Sequence, residues 1–186
     1  MTKNELLKSL DYVNHSREKR KMMAKLVSEK PFLVPFLLEI AVEDKTHISS
    51  KACWVLEFTA KENLPYIFPH IDVFTSFIGK LKLDSSIRPM AKICEYLILG
   101  YFKVKDKNIR ECLKETHLEA ITTTCFDWLI EDHKVATQAY SMTCLLLLGS
   151  KFDWIHPELK LLLEQNYAGG SAAYKARARM TLAKIK

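Results

Sequence analysis

Glycine and proline are scarce in this chain of 186 residues, which contains five glycines and six prolines. A β-rich protein of this size needs many more turn residues, so the shortage predicts long elements joined by few turns. Hydrophobic residues make up 48% of the sequence and charged residues 27%, a composition that indicates a folded protein and excludes a disordered one. No strand-like alternation of useful length occurs, and the sequence therefore predicts an all-α protein.

Long apolar runs are also lacking. The longest purely apolar run, Cys144 to Gly149, is far too short to cross a bilayer. The first residues, Met1 to Glu5, are polar and lack the apolar stretch of a signal peptide. We therefore expect no membrane segment and a cytoplasmic location.

The sequence lacks the spacings that are typical of metal sites. Its six histidines show no His-Glu-x-x-His or other paired ligand spacing, and its cysteines form no Cys-x-x-Cys pair. We therefore expect no metal and no cofactor. An odd number of separated cysteines predicts reduced, mostly buried thiols in a cytoplasmic protein. The cysteines are Cys53, Cys94, Cys112, Cys125 and Cys144.

The formal net charge of +6 is concentrated at the two ends of the chain. Residues 1–30 carry +4 and residues 175–186 carry +5, whereas the residues between them carry −3. This distribution is compatible with an anionic partner but does not require one. Within the C-terminal run, Lys175 and Arg179 share a helical face and Arg177 points nearly opposite.

Four stretches share a polar or capping start followed by small and apolar residues at helical spacing, and they lie 38, 49 and 38 residues apart. Another apolar, helix-like segment precedes each stretch, and a lysine-rich insertion near residues 102–115 accounts for the larger offset. A shorter pair at the N-terminus brings the number to about five helix pairs. The pattern Thr116-His-Leu-Glu119 predicts a capping box for one of the preceding helices. The four stretches are Ser50–Glu57, Arg88–Glu95, Thr137–Cys144 and Lys175–Leu182.

A repeat of about 40 residues that contains two helices is similar to the HEAT and armadillo repeats. The resemblance covers nearly the whole chain and implies one solenoid domain over residues 1–186, wound as a right-handed α-α superhelix. Neighbouring pairs would bury each other's apolar faces, since one pair cannot do so alone. The resemblance also implies that the second helix of each pair lines a concave surface.

On each second helix, residues i, i+4 and i+7 form one stripe. Basic side chains along a groove, with an aromatic platform, are what phosphate contact and base stacking require. The favoured alternative is a solvated face with weak ion pairs, one of which would join Glu57 to Lys61. Another would join Glu95 to Lys92 or Arg88. The candidate groove residues are Arg17, Lys21, Trp54, Glu57, Lys61, Arg88, Lys92, Glu95, Lys175 and Arg179.

The sequence Phe-Asp-Trp occurs twice, at residues 126–128 and 152–154. Trp154 would either be an exposed anchor for a partner or, like Trp128, belong to the core. Aromatic side chains near helix ends usually pack, which favours the core for both tryptophans.

Two resemblances bear on catalysis. The architecture resembles that of HEAT-like DNA glycosylases, which excise alkylated bases and hold the lesion with Trp, Arg and an acidic residue on their concave face. Trp54, Arg88 and Glu57 supply these residue types here.

The whole chain also looks like a group of short bacterial proteins that carry the label adenylosuccinate lyase. The segment Asp84–Lys92 is similar to the Ser-Ser-x-Met-Pro-x-Lys signature of lyases, but it has one extra residue after Pro89 and lacks the leading Gly and the following Asn-Pro. A capped helix start at Ser85 and Ser86 with an early-turn proline explains the same segment. The sequence therefore predicts no catalytic residues.

Together, these observations predict a non-catalytic adaptor that presents a concave groove to a protein partner. A nucleic-acid-binding protein related to DNA alkylation repair is the alternative, and a protein of the lyase-labelled group comes third.

Overall fold

The computed structural model describes residues 1–185. The chain is 81% helical, and none of the described residues lies in a strand, so the predicted all-α class is confirmed. Eleven α-helices occur in this part, numbered α1 to α11 in chain order. Within it, no helix combines the length and the apolar character needed to span a membrane.

The chain divides into two compact units, Met1–Tyr96 (unit 1) and Leu97–Lys186 (unit 2). The single-domain organisation, the HEAT-like superhelix and the number of helix pairs stay predictions.

Helix α4 is the centre of unit 1, where it packs against α1, α2 and α3. Its small and apolar side chains make this possible, since Ala52, Cys53 and Leu56 are fully buried. Burying one leucine contributes about 1.5–3 kcal/mol to folding. The helices are α1 (Lys3–Asp11), α2 (Arg17–Glu29), α3 (Val34–Glu43), α4 (His47–Glu62), α5 (Ile71–Phe77) and α6 (Asp84–Leu99), the last of which continues past the unit boundary.

The turn between α3 and α4 is fixed by Asp44. This residue has a left-handed backbone with φ of 41°, which a short polar side chain tolerates. Its carboxylate accepts hydrogen bonds from the backbone N–H groups of Lys82 and Leu83, immediately before α6. The polar link around Asp44 thus ends one helix and also positions the start of another.

Helix α9 is the centre of unit 2, where it packs against α8, α10 and α11. Met142, Cys144, Leu145 and Leu148 of α9 are fully buried. The helices are α7 (Lys107–Cys112), α8 (Glu115–Ile130), α9 (Val135–Leu148), α10 (Ile155–Tyr167) and α11 (Ala172–Leu182).

The insertion expected near residues 102–115 contains the end of a π-helical turn, Gly100–Val104, and the short helix α7. Glycine is required at position 100 because Ile109 of α7 packs closely against the backbone there, and a Cβ atom would lie 2.2 Å from its Cδ1. Asp106 caps α7 by accepting a hydrogen bond from the N–H of Asn108 at 2.8 Å.

The capping box predicted at Thr116 and Glu119 is wrong. Helix α8 begins at Glu115, so both residues lie inside its first turns. The buried side chain of His117 takes the capping role instead, since its Nδ1 accepts a hydrogen bond from the N–H of Lys114 at 3.1 Å.

Candidate functional site

The ten candidate groove residues fall in both units. Lys175 and Arg179 belong to α11 in unit 2, where the first is half-buried and the second exposed. The other eight lie on α2, α4 and α6 in unit 1. Of these eight, Arg17, Lys21 and Lys61 are exposed, Arg88 and Lys92 are half-buried, and Trp54, Glu57 and Glu95 are buried.

Trp54 is only 8% exposed and has three polar or aromatic neighbours. Its indole N–H donates to the backbone oxygen of Ser85 at 2.7 Å, which joins α4 to α6. The ring of His15 lies 5.0 Å away between centroids, and the guanidinium carbon of Arg20 lies 4.7 Å from the indole centroid. A stacking base would reach this indole only after Arg20 or His15 moved.

Glu57 and Arg88 form a bidentate ion pair between α4 and α6. The Oε2–Nη2 distance is 2.7 Å and the Oε1–Nη1 distance is 3.3 Å. Two parallel charge-assisted bonds of this kind are stronger and more specific than a single one. The expected pairing of Glu57 with Lys61 is therefore wrong, because the carboxylate bonds across to α6 and not along α4.

Lys92 and Glu95 form the second ion pair, one turn apart on α6. Nζ of Lys92 lies 2.6 Å from Oε2 of Glu95, whose residue is 6% exposed, and 5.0 Å from the ring centroid of Tyr96. The predicted pairing of Glu95 with Lys92 is confirmed.

Arg20 was missing from the sequence prediction, and we call it and the eight candidate residues of unit 1 the unit 1 cluster. The guanidinium of Arg20 covers the indole described above and donates to the backbone oxygen of His15 at 2.8 Å. Burial lowers the pKa of Arg20, and the nearby positive charge of Arg88 lowers it further. Its spacing of three residues from Arg17 places it on the same helical face, which is the signal that could have identified it.

The charges of the cluster are unevenly distributed. Glu57 and Glu95 each neutralise one cation of α6. By contrast, Arg17, Lys21 and Lys61 have no carboxylate within 4.0 Å among residues 1–185. The exposed positive charge of the candidate residues in unit 1 therefore belongs to α2 and to the end of α4.

The serines of the lyase-like segment belong to a buried hydroxyl cluster. The hydroxyl of Ser50 lies 2.7 Å from that of Ser85 and 3.0 Å from that of Ser86. Helix α6 begins at Asp84, so both of these serines lie in its first turn and not at its N-cap. Burial raises the pKa of the neighbouring Cys53 thiol to about 12, which keeps it protonated and non-nucleophilic near neutral pH.

A second candidate site is an apolar groove in unit 2, which we call the α8–α10 groove. It has a volume of about 370 Å³. Ile130 is 66% exposed, Trp154 is 55% exposed and Leu161 is 52% exposed, although all three are large and apolar. The groove is lined by Phe126, Asp127, Ile130, Trp154, Glu158, Leu161 and Leu162, among others.

The two repeated Phe-Asp-Trp motifs differ in their environment. Trp128 is 2% exposed and belongs to the core, as predicted. The same prediction is wrong for Trp154, which stands at the N-cap of α10 and stacks on Phe126 with 5.6 Å between centroids and 23° between planes. Stacking on a half-buried ring from a neighbouring helix leaves the other face of the indole in solvent.

Within residues 1–185, no group of three or more His, Cys, Asp or Glu side chains is arranged to hold a metal ion. No protein family, curated protein or solved structure matches this chain. What the protein binds is therefore inferred from the geometry of its own sites.

Proposed function

We propose that this protein is a non-catalytic, HEAT-like adaptor and that the α8–α10 groove binds a helical segment of a protein partner. The exposure of Trp154 is the observation that carries the proposal. Tryptophan is among the residues that contribute most to protein interfaces, and Trp154 adjoins two other exposed apolar side chains, Ile130 and Leu161. A contiguous exposed apolar patch of this kind typically marks an interaction site.

The shape of the groove suits a helix. Phe126 and Ile130 are spaced as neighbours along one face of α8, and Leu161 of α10 lies about two turns after the N-cap residue Trp154. A groove between two helices accepts the apolar face of an amphipathic helix, whose anchors recur at positions i, i+3 or i+4, and i+7.

Two carboxylates in the groove predict the charge of the partner. Asp127 and Glu158 line the same groove as the apolar side chains. Complementary charge across an interface sets orientation and excludes partners of like charge. The partner helix should therefore carry lysine or arginine beside its apolar anchors.

The proposal is tested by affinity capture from native lysate with quantitative mass spectrometry. A discrete partner should be recovered by the wild-type chain and reduced at least about tenfold by Trp154→Ala, since truncating an interface hot spot costs about 2 kcal/mol or more. Ile130→Glu should have the same effect. Val104→Glu is the matched control, because Val104 is 73% exposed and does not line the groove.

Ile130→Glu and Val104→Glu should unfold within about 0.5 kcal/mol of the wild type, as expected for exposed positions. Trp154→Ala also loses its stacking on Phe126 and should cost about 0.5–1.5 kcal/mol, which leaves the chain folded for the capture experiment. If the same partner is recovered by all three variants, or is lost equally in the Val104→Glu control, the groove is not its binding site.

Nucleic-acid binding is the second candidate, and the cluster in unit 1 supports it. Glu57 bonds Arg88, and Trp54 bonds Ser85 one turn before Arg88, so the residue types named by the glycosylase resemblance share one neighbourhood. The unpaired cations of α2 and α4 provide a place for phosphates. The protein partner is favoured over this alternative because both cations of α6 are already ion-paired and Arg20 covers the indole of Trp54.

The two candidates are separated by fluorescence anisotropy with single- and double-stranded DNA and with RNA. Nucleic-acid binding requires affinity that falls steeply between about 50 and 200 mM salt and is lost in Arg17→Glu with Lys21→Glu. Lys45→Glu with Lys80→Glu is the control, since both lysines are exposed and outside the candidate set. Negligible affinity near physiological salt would eliminate this candidate.

A further inference from the structure

A larger concavity in unit 2 is separate from the α8–α10 groove. It has a volume of about 850 Å³ and lies between α9, α11 and the start of α10. Sites for small molecules and cofactors usually have volumes of about 300–1,000 Å³ and are concave and mostly apolar, with a few polar groups that fix orientation. The cavity, which we call the α9–α11 cleft, has these properties.

Three cations line the α9–α11 cleft. Arg177 of α11 and Lys184, two residues past the end of that helix, both line the cleft, and Lys103 adds a third cation from the π-helical turn. Asp153 is the single carboxylate among the lining residues. Among residues 1–185, neither Lys103 nor Lys184 has a carboxylate within 4.0 Å.

The guanidinium of Arg177 is positioned by the opposite wall. Its Nη2 donates a hydrogen bond to the hydroxyl of Thr143 on α9. This bond spans the two helices and holds a half-buried cation at the cleft. A cation that is already ordered loses less conformational entropy when it binds a ligand.

Apolar side chains also line the cleft. Leu146, Leu147 and Met180 line the cleft, and Met180 is 54% exposed although it is a large apolar residue. Phe102 adds an aromatic side chain that is half-buried. These side chains would contact the apolar part of a ligand at about 25 cal/mol for each Å² of surface removed from water.

The residues that line the cleft include a histidine that packs on a glycine. The ring of His156 approaches Gly149 so closely that a Cβ atom at position 149 would lie 2.0 Å from Cδ2 of the ring. Nε2 of His156 lies 3.0 Å from the backbone oxygen of Leu146, to which it donates. The backbone of α9 therefore fixes the imidazole, and this part of the cleft is preformed.

We infer that the α9–α11 cleft binds a small molecule with an apolar body and one anionic head group, either a carboxylate or a phosphate. The head group pairs with the cations Lys103, Arg177 and Lys184, and the apolar body lies along Leu147 and Met180. The inference depends on different residues from the adaptor proposal and does not require it.

The test is isothermal titration calorimetry of the full chain with decyl phosphate below its micelle concentration. Decyl glucoside has the same tail with a neutral head, and inorganic phosphate has the head without the tail. We expect saturable binding of one decyl phosphate per chain, at least about tenfold tighter than decyl glucoside and than inorganic phosphate, because both parts of the cleft contribute to the affinity.

Two sets of variants locate the site. Lys103→Gln with Lys184→Gln should weaken decyl phosphate at least about tenfold and leave decyl glucoside unchanged, because both lysines are exposed and contribute only charge. Met180→Glu should weaken both ligands. Lys160→Gln is the matched control, an exposed lysine of α10 outside the cleft.

Equal affinity for decyl phosphate and decyl glucoside would overturn the inference, as would unchanged affinity in Lys103→Gln with Lys184→Gln. A binding measurement with lipid vesicles distinguishes a lipid surface from a free ligand. Binding to vesicles of anionic phospholipid without binding of monomeric decyl phosphate would also overturn it, because the cleft would then not be the site.

Discussion

The ion pair between Glu57 and Arg88 joins α4 to α6 and should stabilise unit 1 measurably. In Arg88→Met the guanidinium is removed while the carboxylate of Glu57, whose side chain is 11% exposed, keeps its position. Removing one partner of a fully buried pair costs about 3–5 kcal/mol. Because the Arg88 side chain is 26% exposed and water reaches the gap, we expect about 2 kcal/mol.

The double variant Glu57→Leu with Arg88→Met removes both charges and should recover most of this loss, to within about 1 kcal/mol of the wild type. Urea unfolding followed by circular dichroism gives the free energies, and hydrogen exchange of α4 peptides reports on unit 1 directly. Lys3→Met is the control, since its bond to Glu39 joins a half-buried lysine to an exposed carboxylate and is worth less than about 1 kcal/mol. A stabilising role of the ion pair is refuted if Arg88→Met costs no more than the control. It is also refuted if the double variant loses the sum of the free energies lost by Arg88→Met and by Glu57→Leu alone.

Three further predictions concern groups outside that pair. Because burial raises the pKa of Cys53 to about 12, a thiol reagent at pH 8 should leave Cys53 unmodified and label the half-buried Cys112, as read by peptide mass spectrometry; labelling of Cys53 in the folded chain would contradict this. Gly149→Ala should lower the free energy of unfolding by about 1–3 kcal/mol because an imidazole ring occupies the space of the new methyl group, whereas Gly169→Ala, with no atom within 4 Å, should have little effect; equal losses would refute the close contact. Burial lowers the pKa of His70, so the contribution of this group to the free energy of unfolding is complete above its ordinary pKa of 6.5 and declines as the pH falls below that value. His70→Gln should therefore make the free energy of unfolding depend less on pH between about pH 7 and pH 5. An unchanged dependence in this variant would contradict the prediction.

Each of the four stretches aligned in the sequence lies inside one helix, α4, α6, α9 or α11, because apolar periodicity and scarce breakers are local signals. The capping of α8 could not, since a histidine at position 117 replaced the usual hydroxyl or carboxylate. The exposure of Trp154 also escaped prediction, because it depends on where Phe126 of another helix lies. The local sequence pattern therefore predicts where a helix forms, but it does not predict which side chains of that helix other helices will cover.

The candidate site in unit 1 could be predicted in part. Alignment of repeats placed Trp54 and Glu57 on one stripe, and the structure joins both residues to the start of α6. The alignment used an offset of 38 residues, whereas Glu57 bonds Arg88 at 31 residues. How two helices are displaced along each other is set by side-chain packing, which one sequence does not reveal.

The adaptor proposal is tested most directly by photo-crosslinking in cell lysate, with p-benzoylphenylalanine replacing Leu161 in the α8–α10 groove and, in a separate chain, replacing Val104. The residues are 52% and 73% exposed, so both positions are accessible to a probe. We expect a covalent adduct with one discrete protein from position 161 and none of that protein from position 104. The same adduct from both positions, or no specific adduct from position 161, would contradict the proposal.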